Sequence, residues 1–128
     1  MFEICNLYPE ERVLVKPESG DKKYVLRFKD GVYTGETEDN RPHGRGIFNR
    51  DDGGSHEGMW RRGRPHGEGV VNYPNGEFYE GNFENGKRDG YGVYRTREYE
   101  YKGNWSNGMM NGKGTLTWFD GREYSGRF

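Results

Sequence analysis

Four glycine pairs are the first residues that could do chemistry: Gly44-Arg45-Gly46, Gly67-Glu68-Gly69, Gly90-Tyr91-Gly92 and Gly112-Lys113-Gly114. Glycine-rich loops cradle phosphates when a third glycine and a helix follow, and neither follows here. His43 and His66 sit in matching P-H-G settings. A shared zinc would need both nitrogens within about 2.1 Å of the metal. If each marks one hairpin, two strands separate them, roughly 9–10 Å. They read as solvated turn histidines, and no metal site is assigned. Glu36, Glu57, Glu80 and Glu84 are carboxylates without an enclosing pocket, which acid–base work requires. The expectation is no catalytic residue, no cofactor and no enzyme.

Two residue classes remain, rings and basic side chains, and both need strands to position them. The stretch Tyr79 to Tyr94, YEGNFENGKRDGYGVY, reads with period 2 as a β-hairpin. Asn85-Gly86 supplies its turn, because a type I′ turn needs φ > 0 at both central positions. A regular two-residue hairpin places Phe83 opposite Arg88, Gly81 opposite Gly90 and Tyr79 opposite Gly92. The glycines leave bare backbone on which rings can lie. The same pattern recurs at about 23 residues, the mark of a stacked array whose units bury their apolar faces against neighbours. It appears as YTGETEDNRPHGRGIF from Tyr33, HEGMWRRGRPHGEGVV from His56 and YKGNWSNGMMNGKGTL from Tyr101, and Tyr124 to Phe128 begin another copy.

The pattern Y-x-G-x-W/F followed by G-x-G resembles the MORN repeat (membrane occupation and recognition nexus). Thr37 departs from it at the aromatic place, His56 at the tyrosine, and the third copy is one residue short. The resulting division is an N-terminal β cap at 1–32 and an array at 33–128, with repeats at 33–55, 56–78, 79–100 and 101–123 and a partial copy at 124–128. The fold class is all-β: an elongated, single-layer antiparallel meander of hairpins.

Composition agrees with a thin array. Of 128 residues, 30% are hydrophobic and 32% charged, and half of the hydrophobic share is aromatic. The net charge of −1 supplies no global field for nucleic acid, so none is expected as partner. The single Cys5 forms no disulfide framework and implies a reducing compartment. No apolar run reaches the ~18 residues of a membrane helix. Met1 to Pro9 lacks the features of a secretory signal. Cytoplasmic localisation is the expectation.

In the cap, Val13 to Val15 read as one strand, Lys16 to Asp21 as a turn and Tyr24 to Phe28 as a second strand. This hairpin would cover the first edge of the array. A two-residue Asp30-Gly31 turn sets Phe28 opposite Tyr33. Between repeats, Asp51-Asp52-Gly53, Pro74-Asn75-Gly76 and Phe119-Asp120-Gly121 are three-residue turns with Gly in the αL place. Val71 then faces Tyr79. Arg97-Glu98 is a two-residue loop that places Tyr94 opposite Tyr101. Neither residue favours φ > 0, so strain and a kink are expected there.

The candidate partner-binding stripe is Tyr33, Trp60, Tyr79, Phe83, Tyr94, Tyr101, Trp105 and Trp118, on the face of a single layer that cannot bury both sides. Arg61, Arg62, Arg64, Lys87 and Arg88 lie near the hairpin tips as candidates for an anionic partner or lipid. The other face carries Glu36, Arg45, Glu57, Glu68, Glu80, Lys102 and Lys113, with Ile47, Met59, Val70, Phe78 and Val93. The resemblance implies a scaffold or adaptor associated with cytoskeleton, cilium or membrane that takes a partner peptide. Its alternatives are a phosphoinositide-binding module, or the MORN module of a larger lipid kinase or SET methyltransferase. The half-hairpin at Tyr124 to Phe128 implies a truncated chain or an open edge for a homodimer.

Overall fold

Alternation of side chains with frequent turns gives strands throughout. The computed structural model describes residues 11–15 and 23–128. Among them eleven strands form one antiparallel sheet in chain order. They are β1 (Glu11–Val15), β2 (Lys23–Phe28), β3 (Gly31–Glu38), β4 (Arg41–Arg50), β5 (Ser55–Arg61), β6 (Arg64–Asn72), β7 (Phe78–Glu84), β8 (Lys87–Arg95), β9 (Tyr99–Ser106), β10 (Met109–Trp118) and β11 (Glu123–Arg127). The expected strand at Val13 to Val15 is β1. It pairs with β2, and β2 pairs with β3, so the sheet continues ahead of the first repeat. The expected Lys16–Asp21 turn, Cys5 and the Met1–Pro9 segment lie outside the described residues.

The tip turns are left-handed, as type I′ demands. Asn85 and Gly86 have φ of 49° and 85°, and Asp39-Asn40, Arg62-Gly63 and Asn107-Gly108 repeat this geometry. On the opposite edge Tyr73 N–H donates to Glu77 O at 3.0 Å and Gly76 N–H to Tyr73 O at 3.0 Å. Pro74-Asn75-Gly76 is therefore the three-residue turn its sequence predicts, and Val71 faces Tyr79. Asp51–Gly53 and Phe119–Gly121 close in the same way.

Three expectations need correction. Arg97 and Glu98 bridge Thr96 to Tyr99 with no positive φ, so strain does not follow. The Thr96 hydroxyl instead accepts from Glu98 N–H at 3.1 Å and Tyr99 N–H at 3.2 Å, holding the turn without left-handed backbone. Tyr94 still faces Tyr101. The turn after β2 is Lys29-Asp30, so Gly31, not Tyr33, faces Phe28, and Tyr33 faces Leu26.

The third correction concerns every repeat. Phe83 faces Arg88 as expected, but Gly81 faces Gly92 and Tyr79 faces Tyr94. Between these pairs Asn82 alone on β7 opposes Asp89, Gly90 and Tyr91 on β8. Gly90, at φ 91°, turns the chain through this bulge, and Gly44, Gly67 and Gly112 do so in their repeats. The shift is two residues, so it keeps the same side chains on the same face. The first glycine of each pair serves the bulge. The second lies in a row running across the sheet through Gly35, Gly46, Gly58, Gly69, Gly81, Gly92, Gly103, Gly114 and Gly126.

Candidate functional site

The aromatic face lies over that glycine row. Each repeat tyrosine leans along its own strand, past the glycine two residues on, and donates to the carbonyl three residues on. The distances are 2.5 Å from Tyr33 to Glu36 O, 2.9 Å from Tyr79 to Asn82 O, 2.7 Å from Tyr101 to Asn104 O and 3.0 Å from Tyr124 to Arg127 O. The facing glycine makes room. A Cβ built on Gly92 would lie 2.5 Å from Tyr79 Cζ, and one on Gly114 2.5 Å from Tyr101 Cε2. Y-x-G is thus a ring, the backbone it crosses and the hydrogen bond beyond.

Tryptophan ties one repeat to the one before. Trp60 Nε1–H donates to Gly46 O at 3.0 Å and Trp105 Nε1–H to Gly92 O at 3.2 Å, so both buried polar groups are satisfied. Trp60 meets Tyr33 edge-to-face at 5.5 Å, and Trp105 meets Tyr79 at 5.5 Å. Such pairs add roughly 0.5–1.5 kcal/mol beyond their buried area.

These contacts correct the expected stripe. Tyr33, Tyr79 and Tyr101 are completely covered, and Trp60, Phe83 and Trp105 are buried. Tyr94 and Trp118 are half-buried and packed against this core. The layer covers its own face because rings of this length reach across neighbouring backbone that carries no side chains. Burial raises the Tyr33 and Tyr79 hydroxyl pKa values well above ten. His56 occupies the tyrosine place of its repeat at 1% exposure, between Trp60 at 4.9 Å and Phe83 at 4.7 Å. Burial pushes its pKa down to about 3.

The basic tips divide. Arg61, Arg62 and Lys87 are exposed and Arg64 is half-buried, with Glu84 and Asp89 close by. Arg88 does not project with them. Its guanidinium lies 4.4 Å from the Tyr94 centroid, 5.0 Å from Trp105, 5.2 Å from Tyr79 and 5.3 Å from Tyr73, and donates to the Tyr73 hydroxyl. It holds the place of Pro42, Pro65 and Met110 in other repeats, so Arg88 is part of the aromatic face.

Each tip is also bonded to the preceding repeat. Gly63, Gly86 and Gly108 donate to Pro42, Pro65 and Arg88 carbonyls at 2.9 Å. His43 Nδ1 accepts from Arg62 N–H at 3.3 Å, and Asp89 does the same for Asn107 N–H. His43 is therefore a turn histidine that stays partly solvated, as expected, and also caps the next tip. Among the described residues no three His, Cys, Asp or Glu side chains converge.

On the aromatic side a hollow of about 370 Å³ opens beside Tyr73, Arg88 and Tyr94 at the repeat edge, and the other face carries relief across the strands themselves. An open groove of about 560 Å³ crosses β4 to β8 over Gly58, Gly69 and Gly81. One wall follows the cross-strand order Glu57, Val70, Glu80, Val93. The other is built from Arg45, Glu68, Asn82 and Tyr91. Tyr91 is 55% exposed, a large ring in water. Asn82 and Tyr91 are groove residues that sequence reasoning did not single out. Their signal was positional: each immediately flanks a glycine of the buried row, which turns its side chain to the open face.

The MORN repeat family matches at residues 33–55, 56–78, 79–97 and 101–121. These segments cover more than half of the chain, which belongs to the MORN-repeat family. The repeat is a non-catalytic module used for interaction and membrane binding. Among curated proteins none matches the chain.

Proposed function

We propose that the protein is a non-enzymatic interaction scaffold that receives a segment of a partner protein in the open groove. The observation that carries this reading is the division of the two faces. The rings expected to bind are consumed as core, while the opposite face holds a groove floored by backbone and bordered by Val70, Val93, Tyr91 and carboxylates. An exposed ring with apolar neighbours at the centre and polar groups around them matches the apolar core and polar rim of a recognition surface. Of the eight rings of the expected stripe, a partner could reach only the half-buried Tyr94 and Trp118 without unfolding the array.

A photo-crosslinking residue at Tyr91, compared with one at Arg62, tests the reading. Crosslinks to a discrete partner from position 91 and not from 62 support it. Tyr91→Ala with Val93→Asp should then weaken capture of that partner at unchanged melting temperature. Labelling confined to position 62, with sedimentation on phosphoinositide vesicles, would overturn it in favour of lipid binding at the tips.

A further inference from the structure

The open face has a charge order. At β5 to β7 it carries Glu57, Glu68 and Glu80, all exposed, with a single cation, Arg45 on β4, among the groove's lining. Beyond Tyr91 the relief continues across β8 to β11 as a second hollow of about 540 Å³, which Tyr91 also lines. Its charged side chains are Lys102, Lys113 and Arg127, with no carboxylate among them. Lys113 and Arg127 are direct cross-strand partners, an arrangement of like charges that destabilises a sheet by itself. Among the described residues neither makes an ion pair, and neither do the three glutamates. Lys102 alone reaches a carboxylate, Glu100, at 3.5 Å. Interleaving the two signs on adjacent strands would have neutralised them. Among the side chains that line the two hollows the order is three carboxylates with Arg45 at β4–β7, then Lys102, Lys113 and Arg127 at β9–β11, with Tyr91 and Val93 between.

We propose that the face binds an extended polypeptide segment of ordered charge. Its basic residues lie over β5–β7, an apolar side chain meets Tyr91 and Val93, and its acidic residues lie over β9–β11. This rests on the reading of the groove as the interaction surface and adds the chemistry of its occupant. The two walls are two residues apart along each strand, about 6.8 Å. That width suits an extended chain and excludes a helix roughly 10 Å across. From β5 to β11 the span is about 29 Å, or roughly nine extended residues. Complementary order of this kind fixes direction as well as affinity.

The test uses two synthetic peptides of identical composition and about nine residues, against the full chain at low salt. One has its lysines in one half and its glutamates in the other around a central leucine. The second alternates them. The segregated peptide should bind about tenfold more tightly. A spin label at its lysine end should broaden the Glu68 and Asn82 amides, and one at its glutamate end the Lys113 and Gly126 amides. The exposed triple variant Lys102→Glu, Lys113→Glu, Arg127→Glu should lose the preference and keep its melting temperature. Equal affinity for both peptides, with amide shifts still confined to the groove, overturns the charge order and leaves the groove reading standing. Shifts at the hairpin tips, or no binding by either peptide, overturn both. A concentration-dependent dimer abolished by the same triple variant would make a second copy the occupant and overturn the peptide proposal.

Discussion

The buried imidazole of His56 makes stability depend on pH in a window of its own. Its folded pKa is about 3, against an ordinary 6.5, because burial among Trp60 and Phe83 disfavours the charged ring. Above pH 6.5 the ring is neutral in both folded and unfolded chains and contributes no pH dependence. Below 6.5 the unfolded chain takes up a proton that the folded chain does not. The unfolded state then binds more protons, so stability rises with pH and is lost as pH falls from 6.5 toward 3. The slope approaches 1.36 kcal/mol per pH unit, and between pH 7 and pH 5 the loss is about 2 kcal/mol. That is a large part of a typical domain's 5–15 kcal/mol.

The assay is urea denaturation at pH 7 and pH 5, followed by circular dichroism, for the wild type and His56→Phe. Phenylalanine keeps a ring in the place and removes the titration. Carboxylates and the other two histidines are common to both proteins, so the difference between the two pH responses isolates position 56. The wild type should lose about 2 kcal/mol more than the variant over this interval. Parallel pH responses would refute the reasoning, since the folded chain would then accommodate the charged ring as readily as the unfolded one.

Other expectations follow from the same contacts. Gly92→Ala should destabilise by at least about 2 kcal/mol, because its Cβ would overlap the Tyr79 ring, whereas Gly86→Asn should cost under about 1 kcal/mol at a left-handed position that Asn tolerates; equal melting temperatures would refute this. Trp105→Phe should cost roughly 1–3 kcal/mol, since the Gly92 carbonyl loses its buried donor, and a neutral result in thermal melts would count against it. Among the described residues β11 pairs only with β10, and Tyr124 is 46% exposed, so a second copy is expected to add along this edge through its backbone, a contact that the triple variant of Lys102, Lys113 and Arg127 leaves intact. Sedimentation should show a dimer growing with concentration, and a strictly monomeric profile would refute that addition.

The repeat, the I′ turn at Asn85-Gly86 and the three-residue turns were legible because each depends on a few consecutive residues and a backbone rule. The facing of Tyr79 was misread because a bulge is a property of two paired strands. Its signal was nonetheless present: the run from Lys87 to Tyr94 is two residues longer than the Tyr79–Glu84 run it must match. The first glycine of each pair absorbs that excess. Face assignment survived because two residues preserve parity. Arg88 was misplaced for another reason. Its neighbours in sequence are charged and solvated, but the register sets it across from Phe83, on the ring side. The exposure of the rings was misjudged because a single layer was treated as unable to cover itself. The groove was hidden because its walls meet across five strands, far apart in the chain.

The glycine row separates what holds the array together from what the array can recognise. On one side rings packed over bare glycines join the repeats, with an indole hydrogen bond from Trp60 and Trp105, and a change there costs folding. The residues on either side of the same glycines point the other way: Glu57 and Met59 flank Gly58, Glu80 and Asn82 flank Gly81, Lys102 and Asn104 flank Gly103. Their side chains contribute little to the core, so substitution among them is expected to cost within about 0.5 kcal/mol. Charge can therefore vary from repeat to repeat without altering the fold, and a row of such positions can spell a sequence of charges. The order among the lining side chains, mainly acidic over β5–β7 and basic over β9–β11, is information the stability of the fold does not require. If the face takes the segment proposed above, the Lys113–Arg127 pair is a cost of folding that binding offsets, and the bound segment should raise the melting temperature of the wild type and not of the triple variant.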